Sequence, residues 1–283
     1  MKFSIITPVK NLETYISETI ESVIMQRGDF EIEYIIADGA SDDNTLNICR
    51  EYQNQIKNKS RPIHCNSIDF KIISENDNSM YEALSNALKI TSGDIIAYIN
   101  ADDFYLPNAF SCINEVFSKF EQVKWATGLP LRYNEQGQNT NFHIPWQYRK
   151  NLILKGYYGK SLSFIQQESV FWKRELNENI YLEKLKHFMF AGDYFLWYSF
   201  AKSGTELYII QSFLSGNRNR NIQKSENKTE YFKEFNSIKE KSNLWYWLNA
   251  LILWLLEYLI GKYLKKRYSK NRIIFKKNQW VLK

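Results

Sequence analysis

The chain predicts an α/β fold in which a mostly parallel central sheet carries helices on both faces. Three observations predict it. Short Ile-rich apolar runs alternate with stretches of helical apolar spacing through the first 120 residues. The links between them are short, which asks for parallel strands joined by right-handed crossovers. Three of the runs end in acidic or amide residues: Asp38, then Glu75 to Asp77, then Asn100 to Asp103. In a parallel sheet those ends share one edge, the edge at which open α/β sheets bind ligands.

The elements follow in order. Residues 1–8 read as a buried first strand, with Phe3, Ile5 and Ile6 apolar and Pro8 ending it, because proline donates nothing to a ladder. Leu12, Ile16, Ile20, Val23 and Ile24 have helical spacing over residues 11–25. Residues 33–38 form a second strand. Gly39 then permits a sharp turn, and Asp43 or Asn44 caps a helix through Tyr52. Residues 70–74 are a third strand, 79–88 a helix, 91–94 a turn, 95–100 the fourth strand and 108–120 another amphipathic helix. Beyond these, residues 125–128 read as a short strand and turn. Residues 131–145 read as a hairpin or loop, and its His143 receives no role. Residues 146–159 suit a surface helix or the lining of a cleft.

Composition bounds the whole. The 283 residues are 44% hydrophobic, enough for one large α/β domain or a domain with an appendage, and disorder throughout is excluded. The net charge of +6 is uneven, since residues 262–283 hold nine Lys or Arg and no acid. Such a block suits nucleic acid or an anionic membrane. Cys49, Cys65 and Cys112 are dispersed without a CxxC pair, which argues for a reducing compartment. The chain opens directly on a strand, so no signal peptide is expected.

The stretch from residue 72 to 107 organises the chemistry. Asp102 and Asp103 stand side by side where a buried strand ends, and their repulsion asks for a positive neighbour. A hard divalent cation, Mg²⁺ or Mn²⁺, prefers such oxygen ligands and bridges to phosphates. A solvated acidic turn remains the alternative. Neither GxGxxG nor GxxxxGK[ST] occurs, so any phosphate must be held by metal, by cationic side chains or by helix N-termini.

Several motifs then fall in one order. They are Ile5-Ile6-Thr7-Pro8 with Asn11, Asp38-Gly39-x-Ser41-x-Asp43-x-Thr45, Ser74-Glu75-x-Asp77, Tyr81-x-Ala83-x-x-Asn86, Gly93-Asp94 and Asn100-Ala101-Asp102-Asp103. In order and spacing this set resembles the inverting family 2 glycosyltransferases of the GT-A fold. Ser79 stands where that pattern usually has glycine, and Glu82 where it has aspartate. The resemblance implies a nucleotide diphosphate sugar donor, UDP-linked for preference, with Mn²⁺ or Mg²⁺ as cofactor. Thr7, Pro8 and Asn11 would floor the nucleotide base. Asp38 and Asp77 would reach base or ribose, with Gly39 and Asn100 beside them. Asp102 and Asp103 would be the DxD-type metal motif. Either can be the direct ligand, and the other then holds ribose or sugar.

Further motifs extend the resemblance. Residues 164–176 resemble the family's acceptor segment of the type QEStFWrReL, and residues 190–197 its GDyxLW segment. The resemblance makes Asp193 the catalytic base; helix capping is its mundane alternative. Residues 213–218 with Gln223-Lys224-Ser225 resemble GGFRxxxxQkS, although Asn217 replaces an aromatic. There Arg218 or Arg220 would fork onto the donor diphosphate, or else form a solvated basic loop. The implied organisation is a catalytic domain over residues 1–225, divided into a nucleotide-binding half (1–110) and an acceptor half (111–225), followed by a C-terminal tail over 226–283.

Residues 244–264 of that tail are strongly apolar, interrupted chiefly by Asn249, Glu257 and Lys262. Glu257 near the middle makes a solitary membrane span costly. Trp245, Tyr246, Trp247, Trp254 and Tyr258 are rings of the interfacial kind, and Lys265, Lys266 and Arg267 follow directly. An interfacial helix on an anionic membrane is therefore preferred to a packed helix, and both to a span. No nucleic-acid partner is expected, because the basic residues follow an apolar helix and build no aromatic-lined groove. The implied setting is the cytoplasmic face of the cell membrane, with the enzyme peripheral and a lipid-linked glycan as acceptor. A catalytically inactive nucleotide-sugar-binding scaffold is the alternative. A nucleotidyltransferase ranks last, lacking its Gly-rich basic loop.

Overall fold

The computed structural model describes residues 1–220, 227–259 and 270–283. The first half alternates as expected: β1 (Lys2–Val9), α1 (Ile16–Ile24), β2 (Glu31–Asp38), α2 (Thr45–Lys57), β3 (Ser67–Ser74), α3 (Met80–Lys89), β4 (Ile95–Tyr98), β5 (Phe104–Tyr105) and α4 (Ala109–Lys119). Next come β6 (Trp125–Thr127), the hairpin β7 (Leu131–Tyr133) and β8 (Asn139–Phe142), and α5 (Lys150–Leu154). A 3-10 turn over Gln167–Ser169 leads into β9 (Val170–Lys173), and α6 (Leu182–Leu185), α7 (Gly192–Lys202), β10 (Leu207–Ile210) and β11 (Ser215–Arg218) follow. The chain closes with α8 (Lys228–Ile238), α9 (Leu244–Leu259), β12 (Arg272–Lys276) and β13 (Gln279–Leu282).

Nine strands form the central sheet in the order β13-β12-β10-β6-β9-β4-β1-β2-β3, and β5-β11-β7-β8 form a small second sheet. The pairs β1·β2, β1·β4 and β2·β3 are parallel, so Asp38, the 75–77 segment and the 100–103 turn do leave one edge. The central sheet buries both faces. Ile6, Ile35, Ile96 and Tyr98 pack with α3, α5, α7 and α8, while Phe3, Ile5, Tyr34 and Ile36 pack with α1, α2 and α4. That two-residue alternation along each strand explains why the runs read as nearly continuous apolar stretches.

β9 turns the architecture toward function. It is antiparallel to both β4 and β6, so its beginning lies beside the carboxyl end of β4. The 3-10 turn before it therefore returns to the ligand edge, where the Gln167 amide donates to the Tyr98 carbonyl.

The structure corrects several expectations. Pro8 lies inside β1, opposite Ala37 of β2. The β4 side tolerates it because pairing there ends at Ile6 with Tyr98, and no donor is needed beyond. Residues 146–159 are not a surface helix, since Tyr148, Leu152, Ile153 and Tyr158 are all buried. The tail is not a separate appendage either. β12 pairs parallel with β10, and β13 closes a hairpin on it, so residues 272–282 extend the catalytic sheet. α8 packs Phe235, fully buried, against Tyr194 of α7. Lys262 and Lys265 to Arg267, like Gln223 to Ser225, lie outside the described residues.

Candidate active site

The nucleotide-side motifs tie three loops together. Asp38 ends β2 and accepts hydrogen bonds from the Ser41 hydroxyl at 2.5 Å and the Ser74 hydroxyl at 2.7 Å. Asn11 takes a left-handed backbone (φ 53), and its side-chain oxygen accepts from the Asp42 N–H at 3.0 Å. Thr7 is fully buried, with its hydroxyl 3.0 Å from that of Tyr34. Gly39 does not supply the expected sharp turn; the left-handed residue is Ala40 (φ 55). Glycine is required instead by a close approach, since a Cβ there would meet the Asp77 carboxylate at 2.7 Å. Asp38 and Asp77 are thereby drawn to the same corner.

The aspartate pair divides its work. Asp103, 2% exposed, accepts the Arg218 backbone N–H at 2.8 Å and the Asn217 and Asn100 amides at 3.3 Å. Burial first, and then the charges of Asp102 and Glu168, push its carboxyl well above the usual range. Asp102, 7% exposed, meets Arg220 Nε at 2.6 Å. The Arg218 guanidinium ion-pairs with Glu18, donates to the Asp102 and Glu135 carbonyls, and lies over the Tyr15 and Phe104 rings. Arg218 thus fastens β11 to the aspartate turn, while Arg220, more exposed, pairs with the Asp102 carboxylate.

Glu168 is the functional candidate that sequence reasoning passed over. It sits in the 3-10 turn, 3% exposed, and burial, reinforced by Asp102, lifts its carboxyl to about 7 although Arg132 draws it down. Its Oε1 has no hydrogen-bond partner, nor do Asn100 Oδ1 and Gln167 Oε1. The signal was a carboxylate inside the run Gln167-Glu168-Ser169-Val170-Phe171-Trp172, but only the antiparallel return of β9 reveals which edge it faces. Among the described residues no three His, Cys, Asp or Glu converge as a metal site. Asp102 already has the Arg220 guanidinium as its partner, but the Asn100 Oδ1 and Glu168 Oε1 acceptors are buried without a donor, and oxygen acceptors of that kind suit a hard divalent cation.

Asp193 occupies the first turn of α7. Glycine precedes it because a Cβ at 192 would lie 2.4–2.7 Å from the Tyr81 ring. Asp193 Oδ1 accepts the Tyr194 N–H at 2.6 Å. Burial lifts the carboxyl to about 6, and the nearby Glu234 charge adds to the rise. Burial first, and then the charges of Tyr81, Asp193 and Glu168, raise the Tyr98 hydroxyl well above its usual range, so both carboxylates lie within electrostatic reach of the end of β4.

The sequence profile of Glycosyl transferase family 2 matches residues 4–195, the span that holds every one of these carboxylates except Glu234. The chain belongs to that family. Among curated relatives of this family 2 chain, Staphylococcus aureus TarS, a poly(ribitol-phosphate) β-N-acetylglucosaminyltransferase, is 32% identical over 131 residues, 44% of this chain and 21% of TarS. Bacillus subtilis GgaA, a minor teichoic acid biosynthesis protein, is 30% identical over 162 residues, 55% of this chain and 34% of GgaA. An uncharacterised glycosyltransferase of Mycoplasma genitalium is 27% identical over 177 residues, 62% of this chain and 56% of that protein. The chain therefore spans only about a fifth to a little over half of these relatives' lengths. In fold, it matches S. aureus TarS 1–349 in complex with UDP-GlcNAc at TM-score 0.54 and 13% identity, covering 100% of this chain and 97% of the other. It matches the Pyrobaculum calidifontis mannosyltransferase PcManGT, in complex with GDP-Man and Mn²⁺, at TM-score 0.55 and 14% identity, covering 91% and 70%. The expected GT-A architecture is thus the observed one.

Proposed function

We propose that this family 2 chain transfers a glycosyl group from a nucleotide diphosphate sugar, UDP-linked, to an acceptor hydroxyl with inversion at the anomeric carbon. One observation carries the reading: Asp193, with its carboxyl lifted to about 6, lies within electrostatic reach of Tyr98, the strand end that leads to Asp102 and its partner Arg220. A carboxylate near that value accepts a proton efficiently at neutral pH. Asp193 takes the acceptor proton as the hydroxyl attacks, and Arg220 meets the negative charge that grows on the leaving diphosphate. Thr7, Pro8 and Asn11 shape the base pocket, while Asp38, held by Gly39 near Asp77, reaches base or ribose. Asn100 and Glu168 offer acceptors to donor hydroxyls. Arg218 serves the donor by holding β11 against the aspartates.

Mn²⁺ or Mg²⁺ would be held by Asp102 and Asp103, with the unpartnered oxygens of Asn100 and Glu168 as further acceptors, and when bound would neutralise the diphosphate. Asp103, which accepts the Arg218 N–H and the Asn217 amide, is the second metal candidate of the pair. The acceptor in this reading is a lipid-linked glycan, and the relatives' names, which point to poly(ribitol-phosphate) and teichoic acid, support a polymer of that general kind. The apolar outer face of α9 supports attachment to an anionic membrane, with the enzyme peripheral on its cytoplasmic face.

The test is a thermal-shift panel of UDP, GDP, CDP and dTDP with and without Mn²⁺, with Asp102→Asn as control. Saturation a hundredfold above Kd adds about 2.7 kcal/mol, roughly 5–10 °C for a chain of this size. The expected result is a Mn²⁺-dependent shift with UDP that Asp102→Asn abolishes. A chain that binds UDP but never turns over a UDP-sugar would be a scaffold, and one that binds no nucleotide would end the reading.

A further inference from the structure

The helix that carries Asp193 has no side-chain cap from the residue before it. Ala191 precedes α7 and offers no side-chain acceptor to the free N–H groups of the first turn. Within that turn Asp193 Oδ1 accepts the Tyr194 N–H, and the amides of the segment leading into the helix are met from elsewhere. Glu234, in the second turn of α8, accepts the Met189 N–H at 2.9 Å through one carboxylate oxygen. Its other oxygen accepts the Phe190 and Ala191 N–H groups at 2.9 and 2.8 Å. Three consecutive amides therefore point at one carboxylate, a nest that an anion fills well. From the opposite side, the Tyr81 hydroxyl donates to the Phe190 carbonyl at 3.2 Å while its ring lies against Gly192.

We infer that Glu234 is the positioning residue for Asp193: by gathering the 189–191 amides it sets the entry into α7 and so the place from which the carboxylate meets an acceptor. This rests on the reading of Asp193 as the base. α8 is well suited to hold such a clamp. Phe235 is fully buried and lies 4.2 Å from the Tyr194 ring, one residue from Asp193. The neighbouring Gly156 and Gly159 leave room for Phe235, since a Cβ at either would meet its ring within 2.9 Å. The helix is also connected through the chain to the donor side. Only residues 221–227 separate α8 from Arg220, which holds Asp102. One continuous segment thus runs from the cation beside the aspartates to the carboxylate that fixes the base. Replacing the charge has a second consequence. The titratable groups facing Asp193 are Tyr81 of α3, Tyr98 of β4, and Tyr231 and Glu234 of α8. Of these only Glu234 is a carboxylate.

The experiment compares Glu234→Gln and Glu234→Ala with the unmodified chain, using two readouts that need no substrate. Amide exchange at 189–191 should quicken in Glu234→Ala by tenfold or more and less in Glu234→Gln, which keeps one acceptor oxygen. The titration midpoint of the Asp193 carboxyl, followed by carbon NMR with Asp193→Asn as the assignment control, should fall below about 6 in Glu234→Gln while burial keeps it above the ordinary carboxylate range. UDP release from UDP-GlcNAc should then show kcat lowered about tenfold or more with KM for the donor within twofold, and rescue in Gln exceeding that in Ala. Unaltered exchange and an unaltered midpoint in both variants would overturn the inference. Should Asp193→Asn turn over like the unmodified chain, the base assignment falls, and the exchange data alone decide whether Glu234 orders the loop.

Discussion

Asp193 and Glu33 are both shielded carboxylates, and their partners drive them in opposite directions. Burial alone raises Glu33, but hydrogen bonds from Lys71, Ser4 and Ser92 bring it down to about 2. Asp193 has backbone N–H donors only and a second carboxylate nearby, and it rises to about 6. The first pattern belongs to a buried structural anchor and the second to a base. The sign follows directly. A base works in its ionised form, so glycosyl transfer should be level above about 6 and fall tenfold per unit below it. Asp193→Asn should lose about 10²-fold or more of turnover at every pH while keeping the UDP-induced thermal shift. A pH–rate profile of UDP release checks both, and an acid limb that persists in Asp193→Asn would remove the assignment. Asp193 itself was legible as a motif residue. What was not legible is its setting, because Tyr81 and Glu234 come from helices on either side in sequence, joined only by the fold.

At the scale of elements, periodicity and capping chemistry were readable from neighbouring residues. Ser79 and Glu82, the two departures from the family pattern, explain each other: the Ser79 hydroxyl accepts the Glu82 N–H, and the Glu82 carboxylate accepts the Asn78 N–H at 2.8 Å. The pair makes a capping arrangement at the start of α3. β9 was harder to read, since four residues carry no sign of strand direction. α9 shows what composition leaves out. Glu257 looked like an obstacle in an apolar helix, yet it is buried, accepting from Ser163 at 2.7 Å and paired with His143. His143 therefore has a partner that no sequence spacing announced. With its acid turned inward, the helix leaves Trp245, Leu248 and Ile252 outward, 62%, 44% and 52% exposed. No described helix is long and apolar enough to cross a membrane. Such a face, followed by basic residues, predicts binding to vesicles containing phosphatidylglycerol over pure phosphatidylcholine, weakened by salt. Leu248→Glu with Ile252→Glu should abolish co-sedimentation without changing the UDP thermal shift. Equal sedimentation of that variant would assign the face to another partner.

At the scale of the whole molecule, the largest difference between sequence and structure lies at the C-terminus. A basic stretch after an apolar helix reads as a tail, yet residues 272–282 pair onto β10 and enlarge the catalytic sheet. The turn explains the misreading. Lys277 and Asn278 both have positive φ (49 and 58), the two-residue geometry of a tight hairpin, without the Asn-Gly pair that usually signals it. Arg272 explains the rest: a basic residue that counts as surface charge in the sequence is here completely buried. Its guanidinium donates to the Pro145 and Trp146 carbonyls at 2.5 and 3.2 Å, joining the hairpin to the segment that leads into α5. Removing it would leave buried carbonyls without a donor and a void beside β10. Arg272→Ala should therefore cost about 2–4 kcal/mol of unfolding free energy. Because β10, β6 and β9 separate β12 from β4, UDP binding by the folded variant should be unaltered. Thermal unfolding with and without UDP measures both quantities at once. A midpoint equal to that of the unmodified chain would show the hairpin to be an ornament on the sheet, and a lost UDP shift would show that the far edge bears on the donor site.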